Sequence, residues 1–307
     1  MPGSVRQPIA KKNKLESTDR SHRIHLRRGT FSIPLRRRMY GARMETMSLE
    51  KWVDALQAQG KYFFLRDEAM RQSGLSAAAA KKALQRLVRR GRLTKAKNYF
   101  YVIIPLEYSK SAGLPPAWYI DGLMKAMKRP YYVGLLSAAA LHGASHQQPQ
   151  EFQIFTDRFV RSLRVGRVRI HLLTNKYTLD TPVQDMKTPT GTMRVSTPEA
   201  TVVDLVRYAK TAGGLDNVAS VLAELLSSLD ERRLLRVARL RGDVPNAQRL
   251  GYLLDKLHAR SLSGALHPWV EQRSPGSVPL RPGETAGGGI PDRRWHVLVG
   301  EPIEIEA

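Results

Sequence analysis

The stretch Ser73–Leu93, SGLSAAAAKKALQRLVRRGRL, has the apolar spacing of an amphipathic helix that follows a tight turn. The predicted buried edge recurs at intervals of three and four residues and consists of Ala80, Ala83, Leu84, Leu87 and Val88. The opposite side carries Lys81, Lys82, Gln85, Arg86 and Arg89. The sequence therefore predicts a helix with one apolar edge and one cationic face.

Two shorter helices are predicted before this one. In 48–60, SLEKWVDALQAQG, the apolar residues have helical spacing, Ser48 is suited to the N-cap, and a glycine ends the segment. The segment 62–65, YFFL, is a predicted strand or extended link. The segment 66–74, RDEAMRQSG, is a short predicted helix with acidic residues in its first turn and Gly74 after its last.

A basic hairpin is predicted directly after the cationic helix. The residues KAKN, 95–98, separate the strand-like segments RLT and YFYVII, and Asn98 is suited to a left-handed turn position. Helix, helix, Ser-Gly-Leu-Ser turn, helix and basic hairpin is the order of a winged helix-turn-helix. We therefore predict this fold for 48–105, followed by a linker at 106–115 and a second domain at 116–307.

The third helix of such a fold enters the major groove of DNA, which predicts a role for each part of it. The small residues of its first turn, which allow close approach to the bases, are Ser76, Ala77 and Ala78. The next residues, expected to reach bases or phosphates, are Lys81, Lys82 and Gln85. The cations expected to contact the phosphate backbone are Arg86, Arg89 and Arg90 on the helix and Lys95 and Lys97 on the wing. A winged helix used only for protein contact, with a solvated cationic face, is the alternative.

The charge distribution agrees with a polyanionic partner for the first third of the chain. The net charge is +23, and residues 1–105 contain 24 Lys or Arg against 7 Asp or Glu. The remaining residues contain 26 against 20. A local excess of this size favours nucleic acid, although a solvated basic surface that keeps the protein soluble is the alternative.

The first 47 residues are predicted to be a disordered basic arm, with 12 Lys or Arg and 3 acidic residues and no sustained period. Such an arm can hold phosphates or a minor groove. Alternatively, translation starts later, at Met39, Met44 or Met47. The absence of cysteine excludes disulfides and thiolate metal sites. No apolar run reaches the ~20 residues of a membrane span, and none has the length of a signal peptide, so we expect a cytoplasmic protein without membrane contact.

The second domain alternates helical and strand patterns, which predicts an α/β domain with several helices and a mixed α+β chain overall. The predicted helices are 115–127, 131–144, 198–209, 214–229, 230–242 and 246–258. The predicted strands are 151–156, 168–174 and 192–197, the last preceded by a turn at Thr188–Gly191. A loop at 273–292 and a closing strand at 294–306 complete the domain.

The chain resembles the AbiEi antitoxins of type IV toxin–antitoxin systems, and most closely their mycobacterial branch. Besides the winged-helix segment, the resemblance lies in YYVGLLSAAALHGASHQQPQEFQIFT, MRVSTPEATVVDLVRY and the late PLRPG…DRRWHVLVGEPIEIE, in that order over 48–307. It implies an antitoxin that represses its own operon by binding operator DNA, with inverted repeats as the expected operator. It also implies a C-terminal domain that counteracts a nucleotidyltransferase-like toxin, by direct contact or functionally. The basic arm is not part of the family pattern.

The second domain shows little sign of catalysis. His142 and His146 have a metal-ligand spacing, but Gly143 should end the helix between them, so we expect a turn or core role and no metal. Asp180 and Asp185 are interpreted as solvated loop residues. The chain has no phosphate-binding loop, nucleophile elbow or nucleotidyltransferase motif, so we predict no enzymatic activity and no cofactor. Two alternatives stay open: a metal-dependent nuclease delivered by the winged helix, and a regulator whose second domain senses a ligand.

A second cluster of cations lies in DRFVRSLRVGRVRIH, residues 157–171. Its five arginines, within twelve residues, are Arg158, Arg161, Arg164, Arg167 and Arg169. They are candidates for contact with RNA or with an acidic toxin surface. The alternative is a solvated strand edge, where arginine protects against aggregation.

Overall fold

The computed structural model describes residues 47–109, 113–144, 149–273, 275–283 and 289–305. Within these residues the protein is a mixed α+β chain, as the sequence predicts, and it has ten α-helices and three sheets. The predicted arm lies outside the described residues, apart from Met47.

The N-terminal part contains three helices and a three-stranded antiparallel sheet in the order β1-β3-β2. Its elements are α1 (Leu49–Ala58), β1 (Phe63–Leu65), α2 (Arg66–Ser73), α3 (Ala77–Arg89), β2 (Leu93–Lys97) and β3 (Phe100–Ile103). A buried cluster joins α1, α3 and the sheet through Trp52, Leu84 and Ile103, among others. The predicted helices, strand and hairpin are confirmed at these positions.

The helix ends follow from the residues that cap them. The Ser48 hydroxyl accepts a hydrogen bond from the Lys51 amide, and the Ser76 hydroxyl accepts one from the Ala79 amide. Each cap satisfies an amide that has no partner within its helix and is worth about 1 kcal/mol. Gly74 ends α2 with a φ of 62°, a left-handed conformation that glycine adopts without strain. Together Gly74 and Ser76 set the turn between α2 and α3.

Two details of this region differ from the prediction. Val88 is 36% exposed, because it lies at the rim of α3 rather than on the buried edge. Asn98 does not adopt a left-handed conformation. The register instead shifts between Lys95 and Lys97, and this bulge redirects the strand before the turn.

The C-terminal part is built on a mixed six-stranded sheet in the order β6-β7-β5-β4-β9-β8. Its strands are β4 (Tyr131–Val133), β5 (Glu151–Thr156), β6 (Leu163–Val165), β7 (Val168–Thr174), β8 (Val183–Thr188) and β9 (Gly191–Ser196). The helices α4 (Ile120–Ala126) and α5 (Leu135–Leu141) flank β4 in sequence. Strands β5, β7 and β9 occur where the sequence predicts them.

A helical layer and a small second sheet follow. The helices are α6 (Pro198–Arg207), α7 (Leu215–Leu225), α8 (Glu231–Arg241), α9 (Val244–Lys256) and α10 (Arg260–Glu271). The second sheet has the order β10-β12-β11 and consists of β10 (Val278–Pro279), β11 (Ile290–Asp292) and β12 (Val297–Val299). Helices α6 to α9 confirm the predictions, whereas α10 was not predicted, because Pro268 interrupts its sequence pattern.

Four assignments of the C-terminal part are wrong, one of them the loop at 273–292, which contains β10 and β11. The predicted helix at 131–144 begins only at Leu135, because Tyr131–Val133, which is aromatic, β-branched and buried, forms a central strand. Asp185 lies in the edge strand β8 rather than in a loop. The closing strand is limited to Val297–Val299, since only this segment pairs with β10 and β11.

One buried hydrogen-bond network fixes the helical layer to the sheet. The Asp204 carboxylate in α6 accepts hydrogen bonds from Arg241 in α8 at 3.0 Å and from the Tyr132 hydroxyl in β4 at 2.8 Å. Burial raises the pKa of the Asp204 carboxyl, although the Arg241 guanidinium and the Tyr132 hydroxyl both act to lower it. The network therefore joins three elements at a point that water does not reach.

Candidate nucleic-acid interface

The exposed face of α3 forms one wall of a groove of about 900 Å³. The other walls come from the start of α2 and from the β2–β3 hairpin. The lining residues are Arg66, Asp67, Met70, Ala77, Ala78, Lys81, Gln85, Val88, Arg89, Lys95, Asn98 and Tyr101. Six of the residues predicted to contact DNA thus lie along one groove.

The other predicted contact residues lie around it. Ser76 caps α3, Lys82 and Arg86 are exposed on this helix, and Arg86 lies near the start of α1. Lys97 is half-buried at the end of β2. Arg90 forms an ion pair with Glu50 of α1 at 3.4 Å. The structure therefore separates the predicted set into a groove-lining group and a flanking group.

The groove-lining cations carry little compensating charge. Among the residues that the structure describes, no carboxylate lies within ion-pair distance of Lys81 or Arg89, and the Lys95 ammonium donates a hydrogen bond to the Asn98 side chain at 3.1 Å. The groove contains one carboxylate, Asp67, which lies 3.6 Å from the guanidinium of Arg66. The net charge of the side chains that line the groove is positive, which favours an anionic ligand.

Residues of α2 and β3 in the groove were missed from sequence. Arg66, Asp67 and Met70 come from the start of α2, and Tyr101 comes from β3 opposite Lys95. Burial raises the pKa of the Tyr101 hydroxyl, while Arg66 acts to lower it. The hydroxyl therefore stays protonated at neutral pH and can donate a hydrogen bond to a ligand in the groove. The charged residues in the first turn of α2 could have indicated these positions. They were not interpreted as part of a site, because the helix dipole already explains acidic residues there.

The second group of arginines surrounds the edge strand β6. Arg158 and Arg161 lie between β5 and β6, and Arg167 follows the turn at Gly166. Arg164 of β6 is directly opposite Arg169 of β7 in their antiparallel pair. All five arginines are exposed, and they are distributed along the loop before β6, β6 itself and the start of β7.

An exposed aromatic residue within this group was also missed. Phe159, between Arg158 and Arg161, is 82% exposed. A phenylalanine is usually interpreted as a core residue, and nothing in the spacing of this loop contradicts that. Its exposure could have been inferred from its position among arginines, in a segment whose sequence has neither strand nor helix periodicity.

Of the two histidines predicted to have a turn or core role, His142 lies within the described residues. His142 lies just after α5, and its Nε2 is 2.7 Å from the carbonyl oxygen of Ser196 in β9. Its Nδ1 is 3.4 Å from the side-chain amide of Gln184 in β8. His146 lies outside the described residues. His142 therefore joins α5 to the sheet through both ring nitrogens.

The comparisons with known proteins concern mainly the C-terminal part. Residues 132–256, from β4 to the end of α9, match the family model described as the AbiEi antitoxin C-terminal domain. This segment, the AbiEi domain, is similar to the C-terminal domains of AbiEi antitoxins. The resemblance seen in the sequence is thereby confirmed, and the match supports an antitoxin role for the chain. The AbiEi domain contains the six-stranded sheet, the buried network around Asp204 and the arginines of β6 and β7.

A solved structure extends the similarity beyond the AbiEi domain. The crystal structure of the RV2827C protein from Mycobacterium tuberculosis matches with a TM-score of 0.63 and 15% sequence identity. The match covers 81% of this chain and 90% of that chain. At this identity the similarity applies to the fold alone. No curated protein matches the chain. Of the helices in the described part of the chain, none has the length and apolar character needed to cross a membrane.

Proposed function

We propose that this protein is the antitoxin of a type IV toxin–antitoxin pair and that it represses its own operon. Residues 48–105 act as a winged helix-turn-helix, with α3 in the major groove and the β2–β3 hairpin as the wing. The segment 106–115 connects it to the C-terminal domain, 116–307. That domain counteracts a nucleotidyltransferase-like toxin, by direct contact or functionally.

The groove along α3 is the observation that carries the DNA-binding half of the proposal. Its cations Lys81, Arg89 and Lys95 come from two elements and converge on one concave surface. A helix fits the major groove, and small residues such as Ala77 and Ala78 in its first turn let the backbone approach the bases closely. Gln85, one turn after Lys81 in the same groove, is the side chain best suited to read adenine.

The flanking cations fit the same docking. Lys82 and Arg86 are exposed on α3 beside the groove, where the two phosphate strands of a bound duplex would run. Because Glu50 already compensates the charge of Arg90, we expect Arg90 to contribute less to DNA affinity than Lys82 or Arg86. We assign Lys97 to the wing's contact with the backbone or minor groove.

The toxin half of the proposal rests on the family match over 132–256. The discovery of a gene for a nucleotidyltransferase-like protein directly beside the gene of this protein would support it. Co-expression with that toxin is the direct test, and we expect this protein to restore growth. Growth arrest despite full-length antitoxin in the cells contradicts an antitoxin role toward that toxin.

An electrophoretic shift with the region upstream of its own operon tests the repressor half. We expect the protein to bind this region at least about 1,000-fold more tightly than unrelated DNA of equal length at the same salt concentration. Equal affinity for both DNAs removes sequence-specific repression and leaves a general DNA-binding protein. Incubation of labelled DNA and RNA with Mg²⁺ or Mn²⁺ tests the nuclease alternative, which predicts cleavage.

A further inference from the structure

The edge of the C-terminal sheet carries like charges at close range. Arg164 and Arg169 are direct cross-strand neighbours, an arrangement that destabilises a sheet. Glu151 of β5 offsets Arg169, whose guanidinium is 3.1 Å away, and its other oxygen lies 3.5 Å from His171. Within the described part of the chain, the acceptor for Arg164 is the carbonyl oxygen of Gly166, at 3.3 Å. An anion from outside the chain would relieve this repulsion.

The adjoining loop adds cations to the same edge. Among the residues that the structure describes, no carboxylate lies within ion-pair distance of Arg161 or Arg164. Arg158 lies 3.7 Å from Asp157, which also approaches Arg129 at 3.5 Å, so one carboxylate is shared by two guanidinium groups. The edge therefore presents positive charge without a paired carboxylate at Arg161 and Arg164.

Phe159 distinguishes this edge from a charged edge strand that only prevents aggregation. A charged edge strand discourages pairing with other chains, and arginines alone achieve that. An aromatic side chain that is 82% exposed does not serve that purpose and leaves apolar surface in water. Aromatic rings between cations are instead the arrangement that binds unpaired bases, because each base stacks on a ring while cations hold the phosphates.

Two arginines of the edge, Arg164 and Arg169, lie on the face of the sheet opposite the wing hairpin. Leu163 and Val165 of β6 pack into the cluster that also contains Phe100 of the wing hairpin. Side chains alternate along a strand, so Arg164, between them, lies on the opposite face of the sheet. Arg169, directly across from Arg164, shares that face. Strand β6 itself contacts β2 of the wing, so competition with a duplex bound along α3 is part of the test.

We propose that Phe159, Arg161, Arg164 and Arg169 form a second nucleic-acid site, which binds single-stranded RNA or DNA by base stacking and phosphate contacts. Arg158 borders this site. A duplex has no unstacked base to place on Phe159, and an acidic protein surface would not require the exposed ring. The site goes beyond the proposed repressor and antitoxin functions and does not depend on either.

Fluorescence anisotropy with the full chain tests the proposal. The probes are end-labelled 16-nucleotide RNA and DNA of one mixed sequence, together with the corresponding DNA duplex. We expect Phe159→Ala to weaken single-strand binding by about 5-fold or more, the effect of losing one stacked base. Phe159→Tyr keeps the ring and should bind like the wild type. Leu179→Ala, at a loop residue that is 69% exposed, is the matched control and should have no effect.

Charge is tested separately from stacking. Arg164→Gln should weaken single-strand binding, whereas Arg236→Gln, at an exposed arginine of α8, should change it much less. An excess of unlabelled operator duplex should not displace the bound strand. A preference for RNA or for DNA identifies the source of the single strand, and equal affinity indicates a site that does not distinguish the two.

Three results would overturn the proposal. The first is no binding of either single strand. The second is an equal loss in Arg164→Gln and Arg236→Gln, which would assign binding to net charge. The third is displacement by the duplex together with full binding by Phe159→Ala, which would assign it to the groove of α3. If the operator shift fails, single-strand binding and the Phe159 and Arg164 variants still test the proposal, because these measurements do not use the operator.

Discussion

Adjacent arginines at the end of α3 should respond differently to the same substitution. Arg89 lines the groove without a carboxylate in ion-pair distance among the described residues, and Arg90 pairs with Glu50 at 3.4 Å. If α3 docks as proposed, Arg89 neutralises a phosphate and releases its counterion. Arg89→Gln then removes one such contact, and Arg90→Gln removes mainly an exposed ion pair.

The magnitude follows from counterion release. Each phosphate contact contributes about −0.9 to the slope of log K against log salt concentration. Between 50 and 200 mM salt, one contact therefore accounts for an affinity change of about 3.5-fold. Arg89→Gln should flatten the slope by this amount, equally on operator and random DNA, because phosphates carry no sequence. Arg90→Gln should change the slope by less than about 0.3, since an exposed ion pair contributes ~0–1 kcal/mol and no DNA contact.

Salt titrations of operator binding, with thermal melting of both variants, provide the measurement. Both arginines are near the C-terminus of α3, where a cation favours the helix dipole, so melting shows whether either variant loses stability. An equal slope change in the two variants, or a larger one for Arg90→Gln, refutes the docking in which α3 presents its groove-lining side to DNA.

Three further outcomes are expected. Gln85→Ala should cost about 1–3 kcal/mol on the operator and little on random DNA, measured by competition binding, and an equal loss on both would remove its role in base recognition. Leu84→Ala, at a fully buried position, should lower the free energy of unfolding in urea by about 2–5 kcal/mol, and a smaller change would contradict its place in the core. Arg241→Met should cost about 3–5 kcal/mol by leaving the Asp204 carboxylate buried without its partner, and the double variant Asp204→Leu/Arg241→Met should recover most of this. Because the buried carboxyl then takes up a proton, the single variant should lose stability as pH rises, and a pH-independent cost would contradict this explanation.

The elements with a clear period could be predicted from sequence. The N-cap Ser76 and the apolar spacing around Leu84 predict α3, and both depend only on residues that are close in the chain. Strand β4 escaped prediction because its three residues run directly into α5, so the combined pattern resembles one helix. Strand β8 is an edge strand with mostly exposed side chains and therefore lacks an apolar period.

The candidate site was only partly visible for a related reason. The cations of α3 follow from the helix period, but the groove depends on contacts across the fold. Arg90 meets Glu50, 40 residues away, and Tyr101 joins the groove through its register with Lys95. Likewise, the juxtaposition of Arg164 and Arg169 is a property of strand pairing, which spacing alone does not determine.

The apolar cluster behind the wing limits how this chain can be divided. Phe100 and Val102 of β3 share one buried cluster with Ile120 and Val195 of the C-terminal part. A fragment that ends at the linker would leave those side chains in water and should aggregate or need a solubilising partner. The shared cluster also restricts hinge motion, so strain applied at the C-terminal sheet would be transmitted to the wing rather than absorbed between two loosely tethered bodies.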